Sequence, residues 1–373
     1  PYLPSVFKDR NQFNWNYQRN SKGNVTHITD PLPIAGITRI GYEPTDPNKI
    51  MEITDPDNNV TRYGYDDAGN LSKIIVVVDG VDRTTDIIRD PNAHGLVTEV
   101  RDPRGNSTYY QYDPLGYPHI ITDPRGKVTR LVFDKGGRLT TRTDADGVTT
   151  TYAYDNTNRL TSIKDNLNRL TIYSYDANGN LQAIDDPRPT TAEKTLSYNN
   201  RDLPEAVRES GLANAVFGYD ELARTTSVKN AKNKTWGMSY DAADNLKTLV
   251  SPLGYTDSYP LYYGDGNLKT YTDRMNRTYG HIYDNDGRLT RLSAPSVTYA
   301  FDYYPNDLLK TVNAGTDRTG AFTYNARGDL TSYTDPFGKQ VTYTYDEAGN
   351  RKTISFNGKT VTYGYDARNL MES

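Results

Sequence analysis

The chain of 373 residues contains no cysteine, which excludes disulfide bonds and thiolate chemistry. It is also poor in the residues that fill a solid core. There are 8 Phe, 4 Met and 2 Trp, and the hydrophobic fraction of 35% includes 32 Tyr. A globular protein of this length buries roughly 75% of the surface of its unfolded chain. So few aliphatic side chains would fill such a core poorly, which argues against ordinary globular domains.

Long runs of one residue type are missing as well. The 43 basic and 47 acidic residues are interspersed, so the charge pattern predicts no nucleic-acid partner. The longest aliphatic run, Ile74 to Val78, is too short to cross a bilayer, and we expect no direct membrane insertion. The chain starts at Pro1 without a signal-peptide pattern and stops soon after Tyr365, which predicts a fragment of a longer protein.

What the sequence has in abundance is tyrosine, together with Thr, Ile and Val, and these residues favour strands. An aromatic residue recurs at intervals of 20 to 23 residues from Phe133 onward and more loosely before it, which gives about 17 units. The repeat aromatics are Tyr65, Tyr112, Phe133, Tyr154, Tyr175, Tyr198, Tyr219, Tyr240, Tyr263, Tyr283, Tyr303, Tyr324, Tyr345 and Tyr365. This spacing predicts an irregular N-terminal segment over 1–30, divergent repeats over 31–111 and regular repeats over 112–373.

Each unit is predicted to be two short strands joined by tight turns. One turn follows the aromatic residue as Tyr-Asp-x-x-Gly or Asn; the other is typified by Asp-Pro-x-Gly, the preference of a type I turn. Asp accepts a hydrogen bond from the backbone ahead, and Gly or Asn adopts the left-handed conformation. The predicted turn residues are Asp66, Gly69, Asp102, Pro103, Gly105, Asp123, Pro124, Gly126, Asp176, Gly179, Asp335, Pro336, Gly338, Asp346 and Gly349.

The strand before each corner alternates with period two. Tyr173 and Tyr175 lie on one face, and the residue between them, Ser174, is small and polar. Stacked units would place Tyr beside Tyr across strands, and each ring pair contributes roughly 0.5–1.5 kcal/mol beyond area burial. We therefore expect an aromatic ladder to replace the missing aliphatic core.

These features predict an all-β fold in which tandem hairpins stack into one long curled or spiral sheet. About 17 units of two strands, at ~4.8 Å per strand, give a strip roughly 160 Å long. Curling that strip into a ring gives a diameter on the order of 50 Å, too wide for these side chains to fill. The sequence therefore favours a hollow shell.

The corner sequences resemble a known repeat. "YDDAGNL" from Tyr65, "YDANGNL" from Tyr175 and "YDEAGNR" from Tyr345 closely resemble the YD repeats of the Rhs (rearrangement hotspot) family, over almost the whole chain. The resemblance implies a sheet that spirals into a hollow cocoon. In polymorphic Rhs toxins and insecticidal toxin complexes such a shell encloses a C-terminal toxin, and in animal teneurins a similar shell serves cell adhesion.

The family pattern is incomplete at its C-terminal side. Rhs toxins usually carry a "DPxGL"-type core motif after the repeats, where an aspartyl self-cleavage activity resides. Here the Asp335 to Gly338 segment lies inside the repeats and is followed by Lys339, so we interpret it as a turn. We expect the C-terminal core and the toxin domain to be absent from this sequence.

Candidate chemistry is weak elsewhere. The segments Asp144–Gly147 and Asp284–Gly287 resemble the opening of a calcium loop, but their fifth positions and their Gly do not fit one, and the turn interpretation prevails. Adjacent carboxylates such as Asp185 and Asp186 point to opposite faces of a strand. The four His have no metal spacing, and no nucleophile or phosphate-loop motif occurs. We expect no enzyme activity, no cofactor and no metal.

The leading functional hypothesis is a structural shell of a secreted bacterial Rhs-type toxin. Its partner would be an enclosed toxin polypeptide or the remaining shell segments, and its location secreted or at the cell surface. The alternative is a cell-surface adhesion or carbohydrate-binding repeat protein, with a glycan as possible partner of the Tyr and Asn surfaces.

Overall fold

A computed structural model describes residues 5–8, 13–32, 36–90, 95–187, 194–209 and 212–372. These residues form 34 β-strands and no helix, and hence no helix that is long and apolar enough to cross a membrane. This strand count matches the two strands expected for each of about 17 units. The all-β prediction is confirmed.

The strands are short, mostly of five or six residues. The first twelve are β1 (Val6–Lys8), β2 (Asn14–Arg19), β3 (Val25–Thr29), β4 (Ile37–Tyr42), β5 (Ile50–Thr54), β6 (Val60–Tyr65), β7 (Leu71–Val78), β8 (Val81–Arg89), β9 (Val97–Arg101), β10 (Ser107–Tyr112), β11 (Pro118–Thr122) and β12 (Val128–Phe133). The next eleven are β13 (Leu139–Thr143), β14 (Thr149–Tyr154), β15 (Leu160–Lys164), β16 (Leu170–Tyr175), β17 (Leu181–Asp185), β18 (Lys194–Tyr198), β19 (Pro204–Glu209), β20 (Leu212–Tyr219), β21 (Thr225–Asn230), β22 (Thr235–Tyr240) and β23 (Leu246–Val250). The last eleven are β24 (Thr256–Tyr262), β25 (Leu268–Thr272), β26 (Thr278–Tyr283), β27 (Leu289–Ser293), β28 (Thr298–Tyr303), β29 (Leu309–Ala314), β30 (Arg318–Tyr324), β31 (Leu330–Thr334), β32 (Gln340–Tyr345), β33 (Arg351–Phe356) and β34 (Lys359–Thr362).

The sheet is one antiparallel meander. Each described strand pairs with the strand before it and the strand after it, from β1–β2 through to β33–β34. Successive loops therefore lie on alternate edges of the sheet. We call the edge with the Tyr-Asp corners the corner rim, and the edge with the Asp-Pro-x-Gly turns the turn rim.

The corner has the same backbone geometry in unit after unit. At Tyr175 the pairing register shifts by one residue, from Ser174 opposite Ala183 to Tyr175 opposite Leu181. The Asp176 N–H then donates to the Asn180 carbonyl, and the Gly179 N–H donates to the Asp176 carbonyl. Gly179 has a φ of 95°, a conformation that glycine adopts without the steric cost of a side chain. The bulge before each corner adds twist and bends the ribbon.

The N-terminal segment differs from the prediction. Residues 14–29, expected to be irregular, form the hairpin β2–β3 with the same register shift before an Asn20–Asn24 corner. Asn replaces Asp at that corner and supplies an equivalent side-chain acceptor. Further along, β7 and β8 form a longer hairpin that extends beyond its neighbours on the turn rim.

The described residues form no solid core. Among the described residues, the hydrophobic side chains that are buried are those of Val78, Ala183 and Ala206, and no large side chain is fully buried. The accessible surface is 22844 Å², whereas a compact protein of 42.0 kDa exposes about 15,000 Å². This excess surface is the mark of a thin wall.

The ribbon winds into a spiral whose second turn lies against its first. The Asn285 side chain donates to the Pro31 carbonyl at 2.7 Å, and the Asn306 N–H donates to Asp57 at 3.3 Å. Each contact joins a turn-rim loop to a corner 23 strands further along. At ~4.8 Å per strand, one turn has a circumference of about 110 Å and a diameter of about 35 Å. The ring diameter of about 50 Å expected from the sequence is too large, because it assumes that every strand lies in a single ring.

Candidate functional site

The corner chemistry begins with one aspartate. In the corner after β14, Asp155 Oδ1 accepts the N–H groups of Thr157 at 2.8 Å and Arg159 at 3.0 Å, and Oδ2 accepts Arg159 Nε at 2.7 Å. The N–H of Arg159 is the main cause that holds the pKa of Asp155 well below its ordinary value. The aspartate therefore serves as a structural acceptor that ties the corner together.

The repeat tyrosine fastens each unit to the previous one. The Tyr175 hydroxyl donates to the Leu160 carbonyl at 2.7 Å, at the start of β15, and the Arg159 guanidinium lies 4.6 Å above the Tyr175 ring. Arg159 thus joins the corner of one unit to the aromatic ring of the next. The same hydroxyl-to-carbonyl bond is made by Tyr42, Tyr65, Tyr112, Tyr154, Tyr198, Tyr219, Tyr240, Tyr262, Tyr303, Tyr345 and Tyr365.

This ladder differs from the expected stack of Tyr rings. Ring pairs occur at those repeat aromatics for which no hydroxyl-to-carbonyl bond of this kind is seen, namely Phe133, Tyr283 and Tyr324. There, an aromatic residue from the preceding corner packs on the ring, as Tyr117 does on Phe133 at 5.2 Å. The ladder positions of successive units are two strands, about 10 Å, apart, so a hydroxyl, an arginine or a corner aromatic bridges the gap between them. Rings do stack directly across adjacent strands elsewhere, as Tyr271 does on Tyr279 at 5.4 Å.

One repeat aromatic was assigned to the wrong residue. The structure places Tyr262, and not Tyr263, in the ladder, because Tyr262 donates to the Leu246 carbonyl at 2.6 Å. Tyr263 instead occupies the first corner position, where most units have Asp. The cause is an irregular register in β24 between Ser258 and Leu261, which shifts the corner by one residue. Spacing alone could not choose between two adjacent tyrosines.

The predicted turn residues lie on both rims. The predicted turns that begin at Asp66, Asp176 and Asp346 are corners and lie on the corner rim. Those beginning at Asp102, Asp123 and Asp335 form turns on the opposite edge, with Gly105, Gly126 and Gly338 in the left-handed conformation. The calcium-like segments at Asp144 and Asp284 have the same closed turn geometry. In the described part of the chain no group of three or more His, Cys, Asp or Glu side chains is arranged to hold a metal ion; His94 lies outside it.

Two glycines with the same backbone conformation give a matched test of the corner packing. Gly126 and Gly137 both have a φ of 77°. A Cβ at Gly126 would meet nothing within 4 Å, whereas one at Gly137 would lie 2.5 Å from the Tyr117 hydroxyl. We expect Gly126→Ala to cost about 1 kcal/mol from the positive φ, and Gly137→Ala about 3 kcal/mol because overpacking adds to it. Denaturant titration measures both, and equal costs would contradict the packing assigned to Tyr117.

The contact line between the two spiral turns, which we call the seam, is rich in arginine at one end. Arg125 donates to Asp366 at 2.8 Å, and Arg104 lies 3.5 Å from Asp346 and donates to Asn369 at 3.1 Å. Burial alone would raise the pKa of Asp366, but the Leu370 N–H and the Arg125 guanidinium lower it overall. This end of the seam is an interlocked set of ion pairs.

The other end of the seam is rich in carboxylates. Asp286 of the β26–β27 corner faces Asp30 of the β3–β4 loop, and both line a cleft of about 360 Å³ together with Asp55 and Asp307. Between the two ends, Arg83 of the long hairpin lies 3.7 Å from Glu347. The long hairpin therefore lies on the seam.

A further polar cluster was missed by sequence reasoning. Asp257 of β24 is 4% exposed and accepts the Tyr271 hydroxyl at 3.1 Å and the Arg274 N–H at 2.9 Å. Burial and the bond to Asp257 raise the pKa of Tyr271 to about 12. Several earlier units have Thr at this strand position, as at Thr150 and Thr171, so an Asp there was the available signal. The cluster accompanies the irregular register of β24.

Comparison with known proteins connects this geometry to a family. The model of the RHS Repeat family matches residues 48–81, 92–128, 119–149, 133–167, 154–191 and 324–356. The chain contains Rhs repeats. A tRNA nuclease WapA from Bacillus subtilis (strain 168) is 32% identical over 117 residues, which are 29% of this chain and 4% of that protein. A tRNA3(Ser)-specific nuclease WapA from Bacillus spizizenii matches to the same extent.

Solved structures share the fold over almost the whole Rhs-repeat chain. A crystal structure of TcdB2-TccC3 without its hypervariable C-terminal region has a TM-score of 0.81 and 16% identity, and the match covers 97% of this chain and 23% of that one. A Tc holotoxin pore from Photorhabdus luminescens has a TM-score of 0.77 at 16% identity, over 97% of this chain and 22% of that one. The chain therefore spans about a quarter of the solved chains and a small part of the curated relatives. The predicted curled sheet is confirmed.

Proposed function

We propose that these Rhs repeats form part of the wall of a shell that encloses a polypeptide cargo, as in a secreted bacterial toxin. The observation that carries the proposal is the seam, because side chains 23 strands apart meet and turn an open ribbon into a closed wall. The TcdB2-TccC3 and WapA likenesses support the toxin context. Other shell segments of the same assembly would be its further partners.

The proposed mechanism is steric and needs no catalytic residue. The corner aspartates are engaged by their own backbone and by neighbouring arginines, as Asp155 is by Arg159. Such groups hold the wall together. The wall keeps solvent, proteases and other proteins away from the cargo until the shell opens. We place this function outside the bacterial cytoplasm, secreted or at the cell surface, in keeping with the family resemblance.

The carbohydrate-binding alternative draws no support from the repeat tyrosines. A sugar-stacking platform needs a free ring face and a free hydroxyl, whereas Tyr154 and Tyr175 have arginines above their rings and hydroxyls bound to backbone carbonyls. The ladder therefore accounts for the tyrosines as wall structure.

Protease protection of an added reporter tests the enclosing function. An unstructured tagged peptide is attached after Ser373 in one variant and inserted beside Phe337 in a control, since Phe337 is 80% exposed at a turn-rim loop. We expect trypsin to cleave the inserted reporter readily and the attached reporter many times more slowly. Equal cleavage of both reporters would contradict an enclosing wall.

A further inference from the structure

The carboxylate-rich end of the seam holds a buried charge without a full set of partners. The Asp286 side chain is 8% exposed, and its Oδ1 atom is buried with no hydrogen-bond partner in the described part of the chain. Its other oxygen lies 3.8 Å from Arg288, a distance too long for a strong ion pair. An ionised carboxylate in such a place is costly unless it is neutralised.

The groups around Asp286 make that cost larger. Its own corner contributes Asp284 and Arg288, the next corner contributes Asp307, and the first spiral turn contributes Asp30. Arg288 is already committed to Asp284 at 2.8 Å and to Asp307 at 2.6 Å. Among the described residues, the remaining charged groups near the cleft are Asp55, Asp57 and Lys310. Carboxylates therefore outnumber cations on both sides of the seam.

We propose that the seam is a proton-operated latch, closed at its Asp30–Asp286 end in mildly acidic solution and loosened there at neutral pH. The Arg104–Arg125 end keeps its ion pairs and serves as the fixed end. Protonation of Asp286 removes the repulsion from Asp30 and lets the buried carboxyl donate a hydrogen bond. The latch is a property of this wall and does not depend on what the shell contains.

The direction of the pH effect follows from the closed state. Burial first, and then the charge of Asp30, raise the pKa of Asp286 from 3.8 to about 6. A group whose pKa is higher in the closed state favours closing when protonated. The stabilisation that protonated Asp286 gives to the closed latch is therefore complete below about pH 4. It is lost as the pH rises through about 6 and is absent at neutral pH.

Thiol labelling of a cleft residue tests the latch. The chain has no cysteine, so Thr38→Cys, on β4 at the cleft, introduces a single reporter. At pH 7.5 we expect this thiol to be labelled up to about a hundredfold faster in the protein that keeps Asp286 than in the D286N variant. That ratio corresponds to the two-unit shift of the Asp286 pKa. At pH 5 the two rates should approach each other. Comparison at one pH removes the pH dependence of the thiol itself.

The matched control is D146N. Asp146 holds the same position in a turn of the same Asp-x-Asp-Gly sequence, but its side chain is 82% exposed and lies away from the cleft. We expect D146N to label at the rate of the parent at both pH values. Equal labelling of the parent and D286N at pH 7.5, or an equal effect of D146N, would overturn the proposal.

Discussion

Replacing Tyr175 by Ala is expected to lower the free energy of unfolding of the surrounding units by about 3 kcal/mol. Phe→Ala in a full core costs about 3–5 kcal/mol, and the Tyr175 ring is only half-buried. The lost hydroxyl bond to Leu160 adds about 1 kcal/mol, and the lost contact with Arg159 adds about 0.5–1 kcal/mol. Because each repeat contacts only its neighbours, the loss should concentrate in β14–β17. Hydrogen exchange of these strands measures it.

Two further variants separate the parts of this effect. Tyr175→Phe keeps the ring and removes the hydroxyl, so we expect a cost of about 1 kcal/mol. Tyr109→Ala removes a tyrosine from the other face of the sheet, where it is 48% exposed, so we expect a cost below about 0.5 kcal/mol. A cost at Tyr109 as large as that at Tyr175 would mean that the ladder is not what holds the wall together.

Reversing the charge of Arg104 and Arg125 together is expected to release the last corner of the spiral. Arg104→Glu and Arg125→Glu would place Glu against Asp346 and Asp366, so attraction across the seam becomes repulsion. We expect backbone amides over 346–372 to exchange at least tenfold faster, while those over 139–185 keep their rates. The interior of the first turn has no part in this contact.

A control with the same change in net charge isolates the seam. Arg130→Glu and Arg142→Glu alter two exposed side chains on β12 and β13, and neither arginine takes part in the seam ion pairs of Arg104 and Arg125. We expect this pair to leave exchange over 346–372 unchanged. If both pairs accelerate exchange equally, net charge rather than the seam controls the C-terminal units.

The repeat and its corners were predictable because they are set by local chemistry. An Asp that accepts backbone N–H groups and a Gly in the left-handed conformation act over five residues, as at Asp176 and Gly179. The alternation of Tyr with small residues has a period of only two residues. Such signals are read directly from one unit and gain weight from each repetition.

The seam was not predictable because it depends on the curvature of the whole ribbon. A small change in the bend at each bulge would place Arg104 opposite another corner and leave Asp286 facing solvent. The repeated "DPRG" turns hinted at it, since both put arginine at the third position of the turn. Nothing in one unit, however, shows which distant corner those arginines reach. The choice between Tyr262 and Tyr263 is a local one, but it also could not be made without the pairing register of β24.

The distance across the seam tests the spiral most directly. Spin labels at Lys127→Cys and Met371→Cys, both exposed positions beside the Arg125–Asp366 pair, report it by pulsed dipolar spectroscopy without competing cysteines. The spiral predicts a narrow distribution below about 25 Å, the span of a few residues on either side of the pair. An uncurled ribbon would separate the labels by roughly 110 Å, too far for a resolved dipolar signal, and that result would contradict the closed wall.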